Sequence, residues 1–392
     1  MTIHFINRFY RPDEPATAQL LGDLAGALAA RGHAAGVIAS RPAGAPADEI
    51  LQGVRIRRVG PARAPEGGLA AKAWNFAAFG AGALARLARV LRPGDLVVVM
   101  TDPPLLGVGA AALARARGAR CVHWVQDIYP EIALAVGAPP PLGWLRPARN
   151  RAWRSAAACV VPGRDMGEVV AAAGVPPERI RVIPNWAPEG LSPPPPERAR
   201  AQRRAWGLEG RFVAAYSGNL GRVHDLAPIL ATAHLLREDP AFVFAFIGGG
   251  ARLPAIEAEA RQRGLPNVRF FPAQPRASLA ESLAAADVHL ASLRAGCERF
   301  VFPSKIYGAA AVGRPVLFFG PPGCEPARTL EENGFGRAFG PGQEAEAGSC
   351  LRAWRADEPA RAALGEAGRR FAGAPRWREA WEEVLDSAKQ LP

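Results

Sequence analysis

Short apolar runs alternate with longer alanine- and leucine-rich segments of helical period, in two series separated by a proline run, and no other feature constrains the fold as strongly. That alternation is the signature of βαβ units and parallel sheets. The first series predicts strands near Ile3 to Asn7, Ala35 to Ala39, Val54 to Val59, Asp95 to Met100, Arg120 to Val125, Ala158 to Val161 and Arg181 to Ile183. Helices such as Thr17 to Ala30 and Leu105 to Arg117 fall between them. The second series predicts strands near Phe212 to Ser217, Phe242 to Ile247, Val268 to Phe271, Val288 to Ser292 and Pro315 to Phe319. Between the two, Ala187-Pro-Glu-Gly-Leu-Ser-Pro-Pro-Pro-Pro196 reads as a semi-rigid connector that forms neither helix nor central strand. The expectation is therefore an α/β chain of two Rossmann-like, doubly wound domains, residues 1–187 and 205–372, joined by a linker at 188–204. A C-terminal segment, 373–392, holds a short amphipathic helix from Trp377 to Leu391 after Gly373-Ala-Pro375 and is expected to pack back on the first domain. Two such sheets bind ligands in a cleft at the carboxyl ends of their strands, so motifs matter most just after strands.

Composition limits the partners. The chain has 392 residues, 49% hydrophobic and 21% charged, as in an ordinary globular protein with ample core. Forty-eight basic against 36 acidic residues give +12, which calls for an anionic partner: nucleotide, phospholipid headgroup or nucleic acid. Heavy use of arginine, alanine, glycine and proline also fits a GC-rich genome, which discounts the charge. Cys121, Cys159, Cys297, Cys324 and Cys350 are odd in number and contain no CxxC pair, which speaks against a disulfide framework or structural zinc and fits a reducing cytoplasm. The start at Ile3-His-Phe-Ile6 carries no signal-peptide pattern, and the apolar helices are interrupted by Arg or Lys short of the roughly 18 residues a membrane span needs.

Lysine is rare, occurring only at 72, 305 and 389, and Phe300-Val-Phe-Pro-Ser-Lys305-Ile-Tyr-Gly308 puts one of the three at a helix start. A compact ammonium beside exposed backbone N–H groups suits a phosphate, here as part of a diphosphate site holding Ser304 and Lys305. A Pro/Ser-capped helix with an ordinary surface lysine would read the same way. Tyr216-Ser-Gly218-Asn219-Leu-Gly221-Arg222-Val-His224-Asp225 brings bare backbone and a guanidinium to a strand end, with Ser217, Gly218, Asn219 and Arg222 as candidate diphosphate contacts. Glycine-rich strand–helix turns also occur for packing alone. Phe246-Ile-Gly248-Gly249-Gly250 follows the next strand; Gly249, with Phe271 on the strand beyond, would line the same edge, and the spacing fits neither a Walker loop nor a dinucleotide fingerprint. Gly320-Pro-Pro-Gly323-Cys324-Glu325 is read as a plain turn.

In the first domain, Cys121-Val-His123-Trp-Val-Gln126-Asp127-Ile-Tyr129-Pro-Glu131 ends a strand. Alternation puts His123, Val125 and Asp127 on one face. Asp127 is the best cleft carboxylate there, and His123 is either a second reacting group or a satisfied core histidine. Arg8, Asp13 and Thr17 in the loop after the first strand and Asp102 in Thr101-Asp102-Pro-Pro104 are the other contact candidates. There is no DxD, no His/Cys cluster at metal spacing and no nucleophile elbow, so no metal is expected.

Taken together the motifs resemble those of the bacterial family 4 glycosyltransferases of GT-B fold, in the O-antigen and exopolysaccharide branch that includes N-acetylfucosamine transferases. The resemblance runs through Phe5-Ile-Asn-Arg-Phe-Tyr-Arg-Pro-Asp13 with Ala16-Thr17-Ala18-Gln19, Ala29-Ala-Arg-Gly32-His33, Trp124-Val-Gln-Asp127-Ile-Tyr-Pro-Glu131, Val182-Ile-Pro184-Asn185-Trp186, Tyr216-Ser-Gly-Asn219-Leu-Gly-Arg222 with His224-Asp225, and Pro303-Ser-Lys305. It implies metal-independent, retaining transfer from a nucleotide diphosphate sugar, without a cofactor. The second domain would hold this donor and the first the acceptor. In the same-face mechanism the departing diphosphate assists deprotonation of the acceptor, and the protein mainly positions groups and stabilises charge. The chain departs from the pattern where a pair of glutamates eight apart would fall on Phe300 and Gly308. Glu298 becomes the substitute candidate toward the donor sugar. A basic pair of the family is replaced by Asn219 and His224, which places more weight on Arg222 and Lys305.

The resulting expectation is a cytoplasmic enzyme, peripheral at the inner membrane face, acting on a polyprenyl-diphosphate-linked saccharide and binding no nucleic acid. Contact with an anionic membrane surface would run through the helix Gly68 to Leu91, where Trp74, Phe76 and Phe79 mix with Lys72, Arg86 and Arg89; a core-packed amphipathic helix has the same pattern. Two rivals stay open: a nucleotide-sugar 2-epimerase of the same two-domain fold, and a non-enzymatic polyanion binder.

Overall fold

A computed structural model describes residues 1–13, 15–60, 69–373 and 377–390. The chain divides into two compact units, Met1–Asn185 with the C-terminal segment Arg376–Pro392, and Trp186–Pro375.

In the first unit the strands are β1 Thr2–Ile6, β2 Ala34–Ser40, β3 Asp48–Leu51, β4 Val54–Val59, β5 Leu96–Met100, β6 Arg120–Trp124, β7 Ala158–Val161 and β8 Ile180–Val182. Among the described residues they form one sheet in the order β3-β4-β2-β1-β5-β6-β7-β8. All neighbours are parallel except β3 and β4. Runs such as Leu96-Val-Val-Val-Met100 are buried along their whole length, as parallel strands covered on both faces must be. β3 was not expected, because Asp-Glu-Ile-Leu is short, charged and mostly exposed. Its signal is the two-residue turn Gln52-Gly53, both at positive φ, which closes a hairpin onto β4.

Phe79, Ala83 and Leu87, one turn apart on helix Leu69–Val90, pack into the core beside Val97 and Val99. The expectation of a lipid-facing aromatic helix is corrected accordingly: Phe79 is core, Phe76 lies under the Arg8 guanidinium and Arg86 pairs with Asp48. Only Trp74 of the three aromatics is exposed; Gly68 and the Lys72 side chain lie outside the described residues. The C-terminal helix Trp377–Gln390 buries Trp381, Val384, Leu385 and Ala388 along one stripe, and Trp381 meets Trp124 of β6 edge-on at 4.7 Å. Ala374, Pro375 and Leu391 lie outside the described residues.

The second unit contains β9 Phe212–Ser217, β10 Phe242–Ile247, β11 Val268–Phe271, β12 Val288–Ser292, β13 Val316–Phe319 and β14 Gly336–Phe339. Among the described residues these form a parallel sheet in the order β11-β10-β9-β12-β13-β14. Phe212, Tyr216, Phe244 and Phe246 anchor its larger core. β14 escaped the sequence reading because it is four residues long and opens on a glycine.

The proline run ends in structure. Helix Pro196–Ala205 takes Pro196 in its first turn, where the missing N–H would be unpaired anyway. Arg203 of this helix pairs with Asp287 at 2.7 Å, and Arg198 with Glu281 at 3.1 Å. Residues 196–204, expected as linker, are therefore helix within the second unit, and the units divide at Asn185/Trp186.

Strand order reverses between β1 and β5 in the first sheet and between β9 and β12 in the second. At such switch points the loops leaving the two strands diverge and open a crevice, the usual ligand position in open α/β sheets.

Candidate functional sites

At the second unit's switch point the turns after β9 and β10 pack backbone against backbone. A Cβ on Gly248 would lie 2.4 Å from the Gly218 oxygen, and one on Gly250 would lie 2.7 Å from the Leu220 nitrogen. Gly248 and Gly250 also have φ of 135° and 142°, so no side chain fits there by space or by conformation. The Leu220 N–H donates to the Gly249 carbonyl at 2.8 Å, and the Gly218 N–H to Ile247 at 2.9 Å.

Lys305, first residue of helix Lys305–Ala311, lies beneath this pair of turns. Its Nζ donates to the Tyr216 hydroxyl at 2.9 Å and lies 4.3 Å from the centre of the Tyr216 ring. The same ammonium is 3.4 Å from His224 Nε2. His224 Nδ1 donates to the Ser292 carbonyl at 2.7 Å, which leaves Nε2 as a lone-pair acceptor turned to the lysine. Burial, with Lys305 adding to it, pulls the His224 pKa down to about 3, so the ring is neutral. Burial alone pulls Lys305 down to about 7. Among the described residues no carboxylate pairs with it. Two neutral acceptors, the Tyr216 hydroxyl and His224 Nε2, hold the ammonium and bring no negative charge to it.

The other residues predicted on the donor side differ in their settings. The Ser217 hydroxyl oxygen and Glu298 Oε2 are buried without a hydrogen-bond partner. Ser304 makes no side-chain cap, and a helix of seven residues has little dipole to offer, so the positive charge at this helix start is that of the Lys305 ammonium. Gly218, Asn219 and Arg222 are exposed on the turn, and Gly249 is half-buried. Phe271 is drawn the other way: its ring stacks on Trp206 at 4.7 Å, and only its carbonyl, accepting from Gly248 N–H, meets the turns. Sequence reasoning missed Tyr216 as a lysine support and treated His224 only as a replaced cation.

In the first unit the loops after β1 and β5 are joined by a bidentate ion pair, Arg8 Nε to Asp102 at 2.8 Å and Nη2 at 3.1 Å. These two candidates are thus partners of each other. Asp13 accepts from the Tyr10 N–H at 3.4 Å and closes its own turn, while Thr17 is half-buried in the first turn of helix Ala16–Ala30. Thr101 Oγ1 accepts from the backbone N–H groups of Gln126 and Asp127 at 3.3 and 3.1 Å, fixing the turn that carries Asp127. Glu131 receives Arg149 at 2.8 and 2.9 Å, and Arg149 also holds the Tyr129 carbonyl at 3.0 Å. Gln126 and Asn185 exchange two amide hydrogen bonds of 2.9 Å.

His123 and Asp127 line one cavity of about 30 Å³ with Thr101, Tyr129 and Trp153, room for about one water. Burial, with Asp102 adding repulsion, pushes the Asp127 pKa up to about 7. Burial pushes His123 down to about 4, and its Nε2 has no partner. At neutral pH the Asp127 carboxyl lies near its midpoint and can give or take a proton, while the His123 imidazole stays neutral and offers hydrogen bonds. All five cysteines are buried and free. Among the described residues no group of His, Cys, Asp or Glu is arranged to hold a metal ion, and no helix is long and apolar enough to cross a membrane.

Comparison with known proteins follows this division. Residues 17–186 match the family model of a glycosyl transferase 4-like domain, and residues 199–371 match that of glycosyl transferases group 1. The probable glycosyltransferase WbjE of Pseudomonas aeruginosa is 31% identical over 249 residues, 62% of each chain, so the match spans less than two thirds of that relative. The putative colanic acid biosynthesis glycosyl transferase WcaI of Escherichia coli is 27% identical over 339 residues, 78% of this chain and 79% of that one. HepE of Anabaena, solved in complex with UDP-glucose, superposes over 100% of both chains with a TM-score of 0.75 at 17% identity, a likeness of fold. The chain thus comprises a glycosyl transferase 4-like domain followed by a glycosyl transferases group 1 domain, on the GT-B fold.

Proposed function

We propose that this protein moves a sugar from a nucleoside diphosphate sugar to a lipid-linked saccharide in cell-surface polysaccharide synthesis. The observation that carries the donor half is Lys305, a half-buried ammonium whose partners among the described residues are the neutral Tyr216 and His224, at the edge of two side-chain-free turns. A diphosphate supplies the missing charge and can approach the bare backbone closely. HepE, of the same fold, was solved with UDP-glucose, which supports a nucleotide sugar as the ligand. Transfer proceeds with retention and without a metal: Lys305 and backbone N–H groups meet the leaving diphosphate, and Asp127 with His123 orders the acceptor hydroxyl. Glu298 reaches toward the donor sugar, and Arg8, Asp13, Thr17 and Asp102 shape the acceptor side. The name of WcaI supports polysaccharide synthesis as the setting. N-acetylfucosamine as the sugar, a polyprenyl diphosphate as the acceptor's carrier and a peripheral position at the cytoplasmic membrane face complete the reading.

The test is a panel of UDP-, GDP- and dTDP-sugars scored by thermal shift, followed by product analysis in excess EDTA. One nucleotide sugar should raise the melting temperature, and a glycosylated acceptor should form with the chelator present. An epimerised nucleotide sugar with no transfer product, or activity restored only by magnesium or manganese, would refute the corresponding part.

A further inference from the structure

The segment Pro139-Pro-Pro-Leu142-Gly-Trp144-Leu145 forms a 3-10 turn, Pro140–Leu145, on the surface of the first unit. Trp144 is 83% exposed, Leu142 36% and Leu145 38%, so three large apolar side chains within four residues have no core to enter. Single exposed apolar residues are common, but a clustered apolar turn is not. Three consecutive prolines stiffen its approach, and its exit runs directly into helix Arg146–Arg154. Its base is fixed, because Arg146 and Arg149 both clamp Glu131 beneath it. The prong is thus rigid as well as apolar.

Charge decides what it meets. Residues 131–154 contain four arginines and one glutamate, and that glutamate is shared by Arg146 and Arg149, which leaves Arg151 and Arg154 without a carboxylate among these residues. Arg146, Arg151 and Arg154 are exposed on the helix that follows the prong, and the neighbouring helix Leu106–Ala116 ends in exposed Arg115, with Arg117 just beyond. A tryptophan and two leucines bordered by guanidinium groups match the boundary of an anionic bilayer, where the rings enter the acyl edge and the cations stay among the headgroups. An apolar protein partner would not need the surplus of positive charge.

We infer that the Leu142–Leu145 prong and the arginines of helix Arg146–Arg154 form a docking surface for an anionic lipid bilayer. The inference is independent of the donor site. It names the element through which the chain would touch a membrane, where the sequence offered the helix Gly68 to Leu91 as either a membrane contact or a core-packed helix.

The test is co-sedimentation of the full chain with vesicles of phosphatidylcholine, with and without phosphatidylglycerol. The parent should bind the anionic vesicles and release them at high salt. Trp144→Ala should reduce partitioning about tenfold, the loss of one large buried side chain. Arg151→Glu should weaken it about fivefold or more. Both variants should melt at the parent's temperature and keep its thermal shift with nucleotide sugar, which separates this surface from the transfer reading. Equal binding by parent and Trp144→Ala, or no preference for the anionic lipid, would overturn the inference. So would a parent that self-associates through this face and becomes monomeric on Trp144→Ala, since the surface would then belong to a second copy of the chain.

Discussion

Asp127 in the first unit and Lys305 in the second hold opposite charges under the same constraint. Asp127 follows β6, the neighbour of the first sheet's switch-point strand β5, and Lys305 opens the helix after β12 at the second sheet's switch point; burial brings each toward neutrality near pH 7, the acid from below and the base from above. Their supports differ. Lys305 has two neutral acceptors aimed at its ammonium, which favour the charged form without cancelling it. Asp127 has its backbone pinned by Thr101 but sits with another carboxylate, Asp102, adding to its burial. The lysine is arranged to receive a charge, and the aspartate to exchange a proton.

The comparison breaks first at Asp127. Asp127→Ala should lower transfer about 100-fold or more while leaving nucleotide-sugar affinity within a few-fold of the parent, as for a group felt mainly in the transition state. Loss of donor affinity with transfer intact would remove Asp127 from the reaction. The same residue should cost stability. Its pKa is raised in the folded state, so the folded chain holds the proton more tightly and stability falls as pH rises from about 4 through about 7. Asp127→Asn should therefore be more stable than the parent at pH 8, by about 2–4 kcal/mol, and close to it at pH 4, as read by urea unfolding.

A smaller effect is expected at Lys305. Lys305→Ala should weaken nucleoside diphosphate binding by about 1.5–3 kcal/mol and leave the bare nucleoside nearly unaffected, while Lys305→Arg should rescue only in part. A folded Lys305→Ala that binds the diphosphate as the parent does would place the phosphates elsewhere. The pH dependence sharpens this. Burial lowers the free lysine to about 7, and an anion favours its protonated form, so binding takes up a proton above that pH. Affinity for a nucleotide sugar, whose diphosphate does not titrate in this range, should fall as pH rises above about 7, by at most about tenfold per unit. Isothermal titration in two buffers of different ionisation enthalpy would read the proton directly, and a flat profile would mean that the lysine is charged throughout.

The smallest expected change is at Tyr216. Tyr216→Phe keeps the ring face toward Lys305 but removes the hydroxyl acceptor, and should raise the donor Kd about fivefold, roughly 1 kcal/mol. No change would assign the hydroxyl to its bond with Asn219 alone.

By itself the sequence determined the two parallel sheets. Buried runs such as Phe242-Val-Phe-Ala-Phe-Ile247 have one stable environment, and their positions follow from local periodicity and turn chemistry. It also marked Lys305, His123 and Asp127, because a rare lysine at a helix start and ionisable residues at a strand's carboxyl end stand out against an arginine- and alanine-rich background. Elements lacking that contrast were not legible: the charged hairpin strand β3, the four-residue β14 and the helix that begins inside the prolines at Pro196. Tertiary structure alone decided who partners whom. That Arg8 is spent on Asp102, that the Phe271 ring stacks on Trp206, and that Tyr216 and a neutral His224 turn to Lys305 all depend on strand order and loop approach. Local sequence sets which face a side chain takes, but the sign and freedom of a buried charge are set by groups that are distant in the chain and adjacent only once the sheet has formed.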